Sequence, residues 1–313
     1  MSGKGGFLSE MGYVLGLQFL HNLGKVNFIA ASGTTHSSRV DALWLEICLL
    51  QTEILYLPME NLDRLREFFT AKNLKSYHPL MSEKELAKWL KPLDPNQFFS
   101  VRSKTDFLKQ LNSFALTHLE DELFLKHLLT KAFFEENIVG AFEVRALSSR
   151  LDLLKINGVT TAFEIKSDFD SLEKLEKQSQ DYLALFEYNY LVVGEKHLDK
   201  ALKLLPSDFG IYIVKNKKLK RFRSSRRNKT IDPKSQLSTL TSKELRGEFK
   251  STESNWILAN FSSIEVNEAF KKILKKRYAK KWNFIKERSS EIFPLDYQYF
   301  FHHPINPQLI YSR

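Results

Sequence analysis

The sequence predicts an α/β protein: a helix, three short strands, a helix and a strand, with helical sequence before this core and basic helical sequence after it. Three observations carry the prediction. Apolar residues recur at three- and four-residue spacings up to about Phe134, then switch near Ile138 to the shorter period of strands. The turn signal Asn157-Gly158 separates two of the short β-like runs. Basic side chains collect towards the end of the chain.

Taken in order, residues 1–35 are glycine-rich and show no regular period. Gly3, Gly5 and Gly6 do not make a phosphate loop, because no GxxxxGK[ST] pattern follows. Residues 41–134 read as mostly helical. Ala42 to Met59 is apolar but interrupted by Glu46, Gln51 and Glu53, which makes it a buried helix rather than a membrane span. Leu62, Leu65, Phe68 and Phe69 recur at helical spacing. Ser82-Glu83-Lys84-Glu85 resembles a capping box ahead of Leu86, Trp89 and Leu90. Pro92 and Pro95 mark a boundary near residue 100. Phe107 to Phe134 forms further helix with a break near Thr117.

The β-like runs are Ile138 to Val144, Arg150 to Ile156 and Thr160 to Lys166. Asp168 or Asp170 is expected to cap a helix running to about Phe186. Tyr190 to Val193 is a fourth strand, His197 to Leu205 a short helix, and Ile211 to Val214 a fifth strand. Helices resume at Ser242 to Phe249 and Ile264 to Arg288. The expected division is a mostly helical region over 1–100, the α/β core over 101–215 and a basic, mostly helical region over 216–313.

Composition narrows the function. A chain of 313 residues with 43% hydrophobic and 13% aromatic side chains is long and apolar enough to bury a core. The single Cys48 excludes an intramolecular disulfide and a cysteine zinc cluster. No secretory signal is readable at the N-terminus, so a soluble cytoplasmic protein is expected. The net charge of +10 is uneven. Residues 215–229 hold nine lysines and arginines and no acid, and residues 271–288 hold nine against Glu287 alone. Such runs suit a polyanionic partner, through phosphate neutralisation and counterion release. In the second run Tyr278, Trp282 and Phe284 are interleaved with the charges, as in an amphipathic helix with its aromatics turned inward.

The segment that carries chemistry is Asp152, eleven intervening residues, then Glu164-Ile165-Lys166. Strand side chains alternate faces, so Glu164 and Lys166 share one. Whether Asp152 joins them depends on the hairpin turn. A two-residue Asn157-Gly158 turn pairs Asp152 with Phe163 and puts the acids on opposite faces. A three-residue loop with Gly158 left-handed, followed by a bulge, restores a common face. Two carboxylates and a lysine on one face suit metal-assisted phosphoester hydrolysis. Hard oxygen ligands hold Mg²⁺ or Mn²⁺, the ion acidifies a bound water, and the lysine orients or deprotonates that water or stabilises developing charge.

Asp152 with Glu164-Ile165-Lys166 resembles the signature of the PD-(D/E)XK nuclease superfamily, and the predicted element order resembles its restriction-endonuclease-like core. Gln178-Ser-Gln-Asp-Tyr182 resembles the QxxxY motif of the RecB-like branch; the two residues stand one helical turn apart on one face. Arg150-Leu-Asp152, Phe163 to Asp168, Leu191 to Glu195 and Arg226-Arg-Asn228 are similar to a small bacterial branch of that superfamily over roughly residues 120–250. The usual proline before the first acid is replaced by Leu151.

The resemblance implies that Asp152, Glu164 and the Ile165 carbonyl hold the metal and that Lys166 is the catalytic lysine. It implies that Gln178 and Tyr182 order the site or contact the nucleic acid, and that Glu143 is an additional acid, with Glu135 and Glu136 as competitors for that role. Arg150 would contact phosphate. The nucleic acid would lie across Lys217, Lys218, Lys220, Arg221, Arg223, Arg226 and Arg227 of the first basic run and Lys275, Lys276 and Lys280 of the second. The expected function is Mg²⁺- or Mn²⁺-dependent phosphodiester hydrolysis, in DNA before RNA. The alternatives are a non-catalytic nucleic-acid-binding module on the same fold and an RNA-directed toxin nuclease. Residues 1–100 suit a dimer or protein-partner surface, or a cap over the site. His302 and His303 read as structural, His36 beside Ser37 and Ser38 lacks a nucleophile elbow, and Cys48 reads as core.

Overall fold

Six strands form one mixed sheet in the order in which they occur in the chain. In the computed structural model the described residues are 64, 67–68, 76–93, 103–118, 122–134 and 136–311, all within the unit Leu50–Arg313. The expectations for residues 1–62, for Leu65, Phe69, Pro95 and Glu135, and for a boundary near residue 100 lie outside them.

Helix α1 (Glu83–Leu90) has the predicted capping box, in which the Ser82 hydroxyl accepts from the Glu85 amide and the Glu85 carboxylate accepts from the Ser82 amide. Helices α2 (Lys104–His118) and α3 (Glu122–Phe134) follow, separated near the expected break. Then come β1 (Val139–Ala146), β2 (Ser149–Ile156) and β3 (Thr160–Lys166), an antiparallel meander. Helix α4 (Leu175–Leu183) crosses to β4 (Tyr188–Gly194), and α5 (Leu198–Leu204) crosses to β5 (Gly210–Lys215). Both strands run parallel to β3, as helical crossovers require. Strand β3 is buried along its length except for Lys166, because it lies inside the sheet with helices on its faces.

A sixth strand, β6 (Lys218–Arg223), returns antiparallel to β5 through a turn in which Asn216 and Lys217 are both left-handed. The sequence reading placed no strand there. Its Lys-Leu-Lys-Arg-Phe-Arg pattern has almost no apolar face, because β6 is a sheet edge. Lysines on an edge discourage pairing with other chains. The capping expectation for α4 is also corrected. Asp170 accepts from the Ser167 amide and hydroxyl, and Asp168 accepts from the Lys196 amide. Both acids are engaged in the turn leaving β3. The helix starts later, at Leu175, with no side-chain cap.

After β6 come α6 (Pro233–Ser238), α7 (Ser242–Phe249), α8 (Ser254–Asn260), the long α9 (Ser263–Glu287), α10 (Tyr297–His302) and α11 (Pro307–Tyr311). Helix α9 is part of the core. Trp282 is fully buried, and it lies so close to β1 that a Cβ on Gly140 would fall 2.5 Å from its ring. Phe133, Phe142 and Phe134 surround the same indole. The inward packing expected of the aromatics holds for Trp282; Tyr278 and Phe284 are half-buried.

Near the start of β4 lies a second anchor for α9. Glu187 is fully buried and accepts from the Thr160 amide at 2.8 Å and from Arg227 at 3.1 Å. It also accepts from Asn267 at 3.3 Å and Lys271 at 3.4 Å, both on α9. A carboxylate so deep in the protein is tolerated only because paired cations and hydrogen-bond donors replace water around it. Among the described residues no helix is long and apolar enough to cross a membrane.

Candidate functional site

The β2–β3 connection decides the geometry. Ile156 pairs with Thr160, leaving the three-residue loop Asn157-Gly158-Val159 with Gly158 at φ +88°. The Asn157 amide closes it by donating to the Val159 carbonyl at 3.1 Å. Left-handed backbone at this point favours glycine. With Leu154 opposite Ala162, the same register sets Asp152 opposite Glu164, so both carboxylates are on one face. On β1 the pairing of Phe142 with Leu153 and of Val144 with Leu151 brackets Glu143, which therefore stands opposite Asp152 from the other side. Three acids thus form a row across three neighbouring strands. Glu143 has φ +53°, left-handed for a residue with a side chain, which is the kind of backbone strain that collects at functional sites.

Glu164 is 1% exposed and held from three directions. The Gln178 amide donates to Oε1 at 2.5 Å, the Tyr182 hydroxyl donates to Oε2 at 2.5 Å, and the Lys166 ammonium lies 2.7 Å from Oε1. Gln178 and Tyr182 meet the carboxylate together because a four-residue spacing puts them on one face of α4, continued by buried Leu175 and Phe186. Tyr182 also donates to the Arg150 carbonyl at 3.0 Å. Asp181, which the sequence reading passed over, accepts from the hydroxyls of Ser148 and Ser149 at 2.7 and 2.6 Å. It pins α4 to the β1–β2 turn and fixes the angle at which Tyr182 enters.

Asp152 accepts from the Ile165 amide at 2.7 Å, so Ile165 is tied to the site through its N–H. The second Asp152 oxygen lies 3.6 Å from the Lys126 ammonium. Lys126, on α3, was not expected in the site. It is 2.6 Å from Glu122 and 2.7 Å from Glu143, and it donates to Gln298 at 3.1 Å. Ligand oxygens of Glu122, Glu143 and Asp152 lie within 4.8 Å of one another, which makes this a possible metal-holding group. Glu122 and Lys126 carried no sequence signal beyond an ordinary i,i+4 pair on a helix. Glu136, a competitor for the role of extra acid, instead pairs with Lys155 at 2.5 Å.

The electrostatics follow from burial and crowding. Burial, then the neighbouring Glu164, pushes Asp152 well above the usual carboxylate range, against the pull of Lys126 and Lys166. For Lys166, burial favours the neutral amine, but Glu164 and Asp152 outweigh it and raise its pKa. Lys126 behaves likewise: burial is outweighed by Asp152, Glu122 and Glu143. Burial and Glu164 together raise Tyr182, which stays a hydrogen-bond donor. The donor set is all oxygen, as hard divalent cations prefer. Gln178 Oε1 is buried without a hydrogen-bond partner beside it, an orphaned acceptor within the site.

The basic candidates divide. Lys217 turns inward to the carbonyls of Leu116 and Thr117 at the end of α2 and lies over the Phe124 ring. Arg223 donates to the carbonyls of Phe209 and Pro206, and Arg227 pairs with Glu187. Lys218, Lys220, Arg221 and Arg226 are exposed, as are Lys275, Lys276 and Lys280 on α9. Arg150 extends into solvent with its guanidinium 3.7 Å from Glu143. His302, read as structural, lies near enough to Lys281, Glu143 and Arg150 for their charges to act on it; burial and Lys281 hold its pKa below the usual histidine value.

Comparison with known proteins gives three findings. A family model described as bacteriophage P4 protein cII matches residues 96–300, well over half of the chain. Protein cII of Enterobacteria phage P4 is 37% identical over 89 residues, covering 28% of this chain and 32% of that protein, so the match spans about a third of that relative's length. A solved structure, the SPO1766 protein of unknown function from Silicibacter pomeroyi, aligns at 18% identity with a TM-score of 0.29, covering 36% of this chain and 75% of that one. That likeness is too slight to support an argument.

Proposed function

The chain belongs to the bacteriophage P4 protein cII family, and we propose that it is a divalent-metal-dependent nuclease with a restriction-endonuclease-like core, acting on phosphodiester bonds of DNA. One observation supports this most: a fully buried Glu164, clamped by Gln178, Tyr182 and Lys166, stands opposite Asp152 in the hairpin register. A surface-charge reading of the same residues does not account for a carboxylate with that many dedicated donors. Desolvating it costs several kcal/mol unless each interaction is kept, by the general cost of buried ions.

In this reading Asp152 and Glu164 would hold Mg²⁺ or Mn²⁺. When bound, such an ion lowers the pKa of a water and offsets charge on the phosphate. The protein's own groups do the rest. Gln178 and Tyr182 fix the Glu164 carboxylate in one orientation. The Ile165 amide fixes Asp152. Lys166, ion-paired at 2.7 Å with Glu164, presents a positive charge to the oxygen on which charge develops. The exposed Lys218, Lys220, Arg221 and Arg226 at the sheet edge, and Lys275, Lys276 and Lys280 on α9, supply a phosphate-binding surface.

The test is Mg²⁺- and Mn²⁺-dependent cleavage of plasmid, linear and single-stranded DNA and of RNA. The wild-type chain should cut DNA, and Asp152→Ala and Lys166→Ala should each lower the rate by at least ~10²-fold. Wild-type rates in both variants would remove the assigned site. Salt-sensitive DNA binding without cleavage would leave a binding module on the same scaffold.

A further inference from the structure

We propose that Lys126 is a tethered cation that permanently fills the Glu122–Glu143–Asp152 cluster, so that the site takes one divalent ion rather than two. The inference deepens the nuclease reading and rests on it for the ion between Asp152 and Glu164. The Lys126 side chain is 6% exposed, and its ammonium lies 2.6 Å from Glu122, 2.7 Å from Glu143 and 3.6 Å from Asp152. Gln298 accepts a further hydrogen bond at 3.1 Å. The ammonium thus lies among the oxygens that would otherwise gather around a metal ion. Glu122 is one helical turn before Lys126 on α3, so the cation and one of its carboxylates arrive on a single rigid element.

Charge counting points the same way. With an ion bound, which favours the ionised form of Asp152, Asp152, Glu164, Glu143 and Glu122 would bring four negative charges. Lys126 and Lys166 bring two positive ones; Arg150 is 72% exposed, and its charge is largely screened by solvent. The remaining two negative charges match one divalent ion. A second ion would leave a largely buried site with an excess of positive charge, or would have to expel Lys126 from three carboxylates in low dielectric. Asp152 therefore faces two cations, an ammonium on the α3 side and the exchangeable ion on the Glu164 side.

Titration of the full chain with Mn²⁺, followed by calorimetry and by the electron paramagnetic resonance of free Mn²⁺, tests this. The expected stoichiometry is one ion for the wild type and two for Lys126→Met, the extra ion entering the vacated cluster. The extra site should raise the melting temperature of Lys126→Met with Mn²⁺ more than that of the wild type. A Lys126→Met chain that binds no more ions than the wild type overturns the inference, as does a wild type that binds two. If the wild type binds none and Lys126→Met binds one, the nuclease reading fails while the role of Lys126 stands. If neither binds any, both fail. Should Lys126→Met not fold, Glu122→Gln decides. Glu122 serves Lys126, so this variant should keep Mn²⁺ affinity within about threefold of the wild type. A loss of tenfold or more, the scale of removing a metal's supporting group, overturns the proposal.

Discussion

Replacing Asp296 by asparagine should flatten the dependence of stability on pH. Asp296, just before α10, is 1% exposed; the hydroxyls of Tyr77 and Tyr311 donate to its two oxygens at 3.1 and 3.0 Å. Burial outweighs these donors and pushes its pKa up to about 7. In the unfolded chain the same carboxyl titrates near 3.8. The folded state therefore holds the proton more tightly. This contribution to stability is complete below the unfolded value and is lost as pH rises through the folded value. A gap of about three pKa units corresponds to about 4 kcal/mol lost between pH ~4 and pH ~7. Asparagine keeps the shape of the protonated acid and cannot ionise. Urea unfolding of wild type and Asp296→Asn from pH 4 to 8 isolates the effect as a difference between curves, because the other titrating groups are common to both. The variant should be close to wild type at pH 4 and more stable at pH 8 by ~2–4 kcal/mol. Parallel curves, or a variant less stable at pH 8, would refute the reasoning.

Two further substitutions probe buried packing, one at the site and one on the other face of the sheet. Tyr182→Phe keeps the buried ring and deletes only the hydroxyl on Glu164 and the Arg150 carbonyl. The loss should be about 1.5–3 kcal/mol, the range for hydrogen bonds to charged groups, read as a lower calorimetric melting temperature; an unchanged melting temperature would show that the hydroxyl does not support Glu164. Gly140→Ala puts a methyl 2.5 Å from the Trp282 ring and should cost about 1–3 kcal/mol, with a change in tryptophan fluorescence. Trp282→Phe in the same chain should recover part of that loss, and no recovery would place the strain elsewhere.

The site was legible where local chemistry fixes geometry. The hairpin stayed open between two turns, and the three-residue loop with Gly158 left-handed is the one that puts Asp152 and Glu164 on one face. Gln178 and Tyr182 were readable because helical spacing is rigid. Glu122 and Lys126 were not, because an i,i+4 Glu–Lys pair looks the same whether it faces solvent or a cluster of acids. Strand β6 was missed for a related reason: an edge strand needs no continuous apolar face, and its charges imitate a loop. Asp168 and Asp170 looked like helix caps, but the turn leaving β3 took both before the helix began. Lys217, Arg223 and Arg227 looked available for phosphate, yet each has carbonyls or a carboxylate within the fold. Composition reports how many cations a segment has, not which are already engaged.

The anchoring of Glu187 has a consequence for α9. Asn267 and Lys271 point to the interior and are tied to one buried carboxylate, while Lys276 and Lys280 on the same helix face water. Two kinds of constraint are thereby written on opposite sides of one helix. The inner side is not free to change, because loss of either partner leaves Glu187 short of a donor where no solvent can replace it. The outer side can gain, lose or rearrange charge at little cost to folding. Descendants of this chain can alter what the helix meets outside without renegotiating what it holds inside.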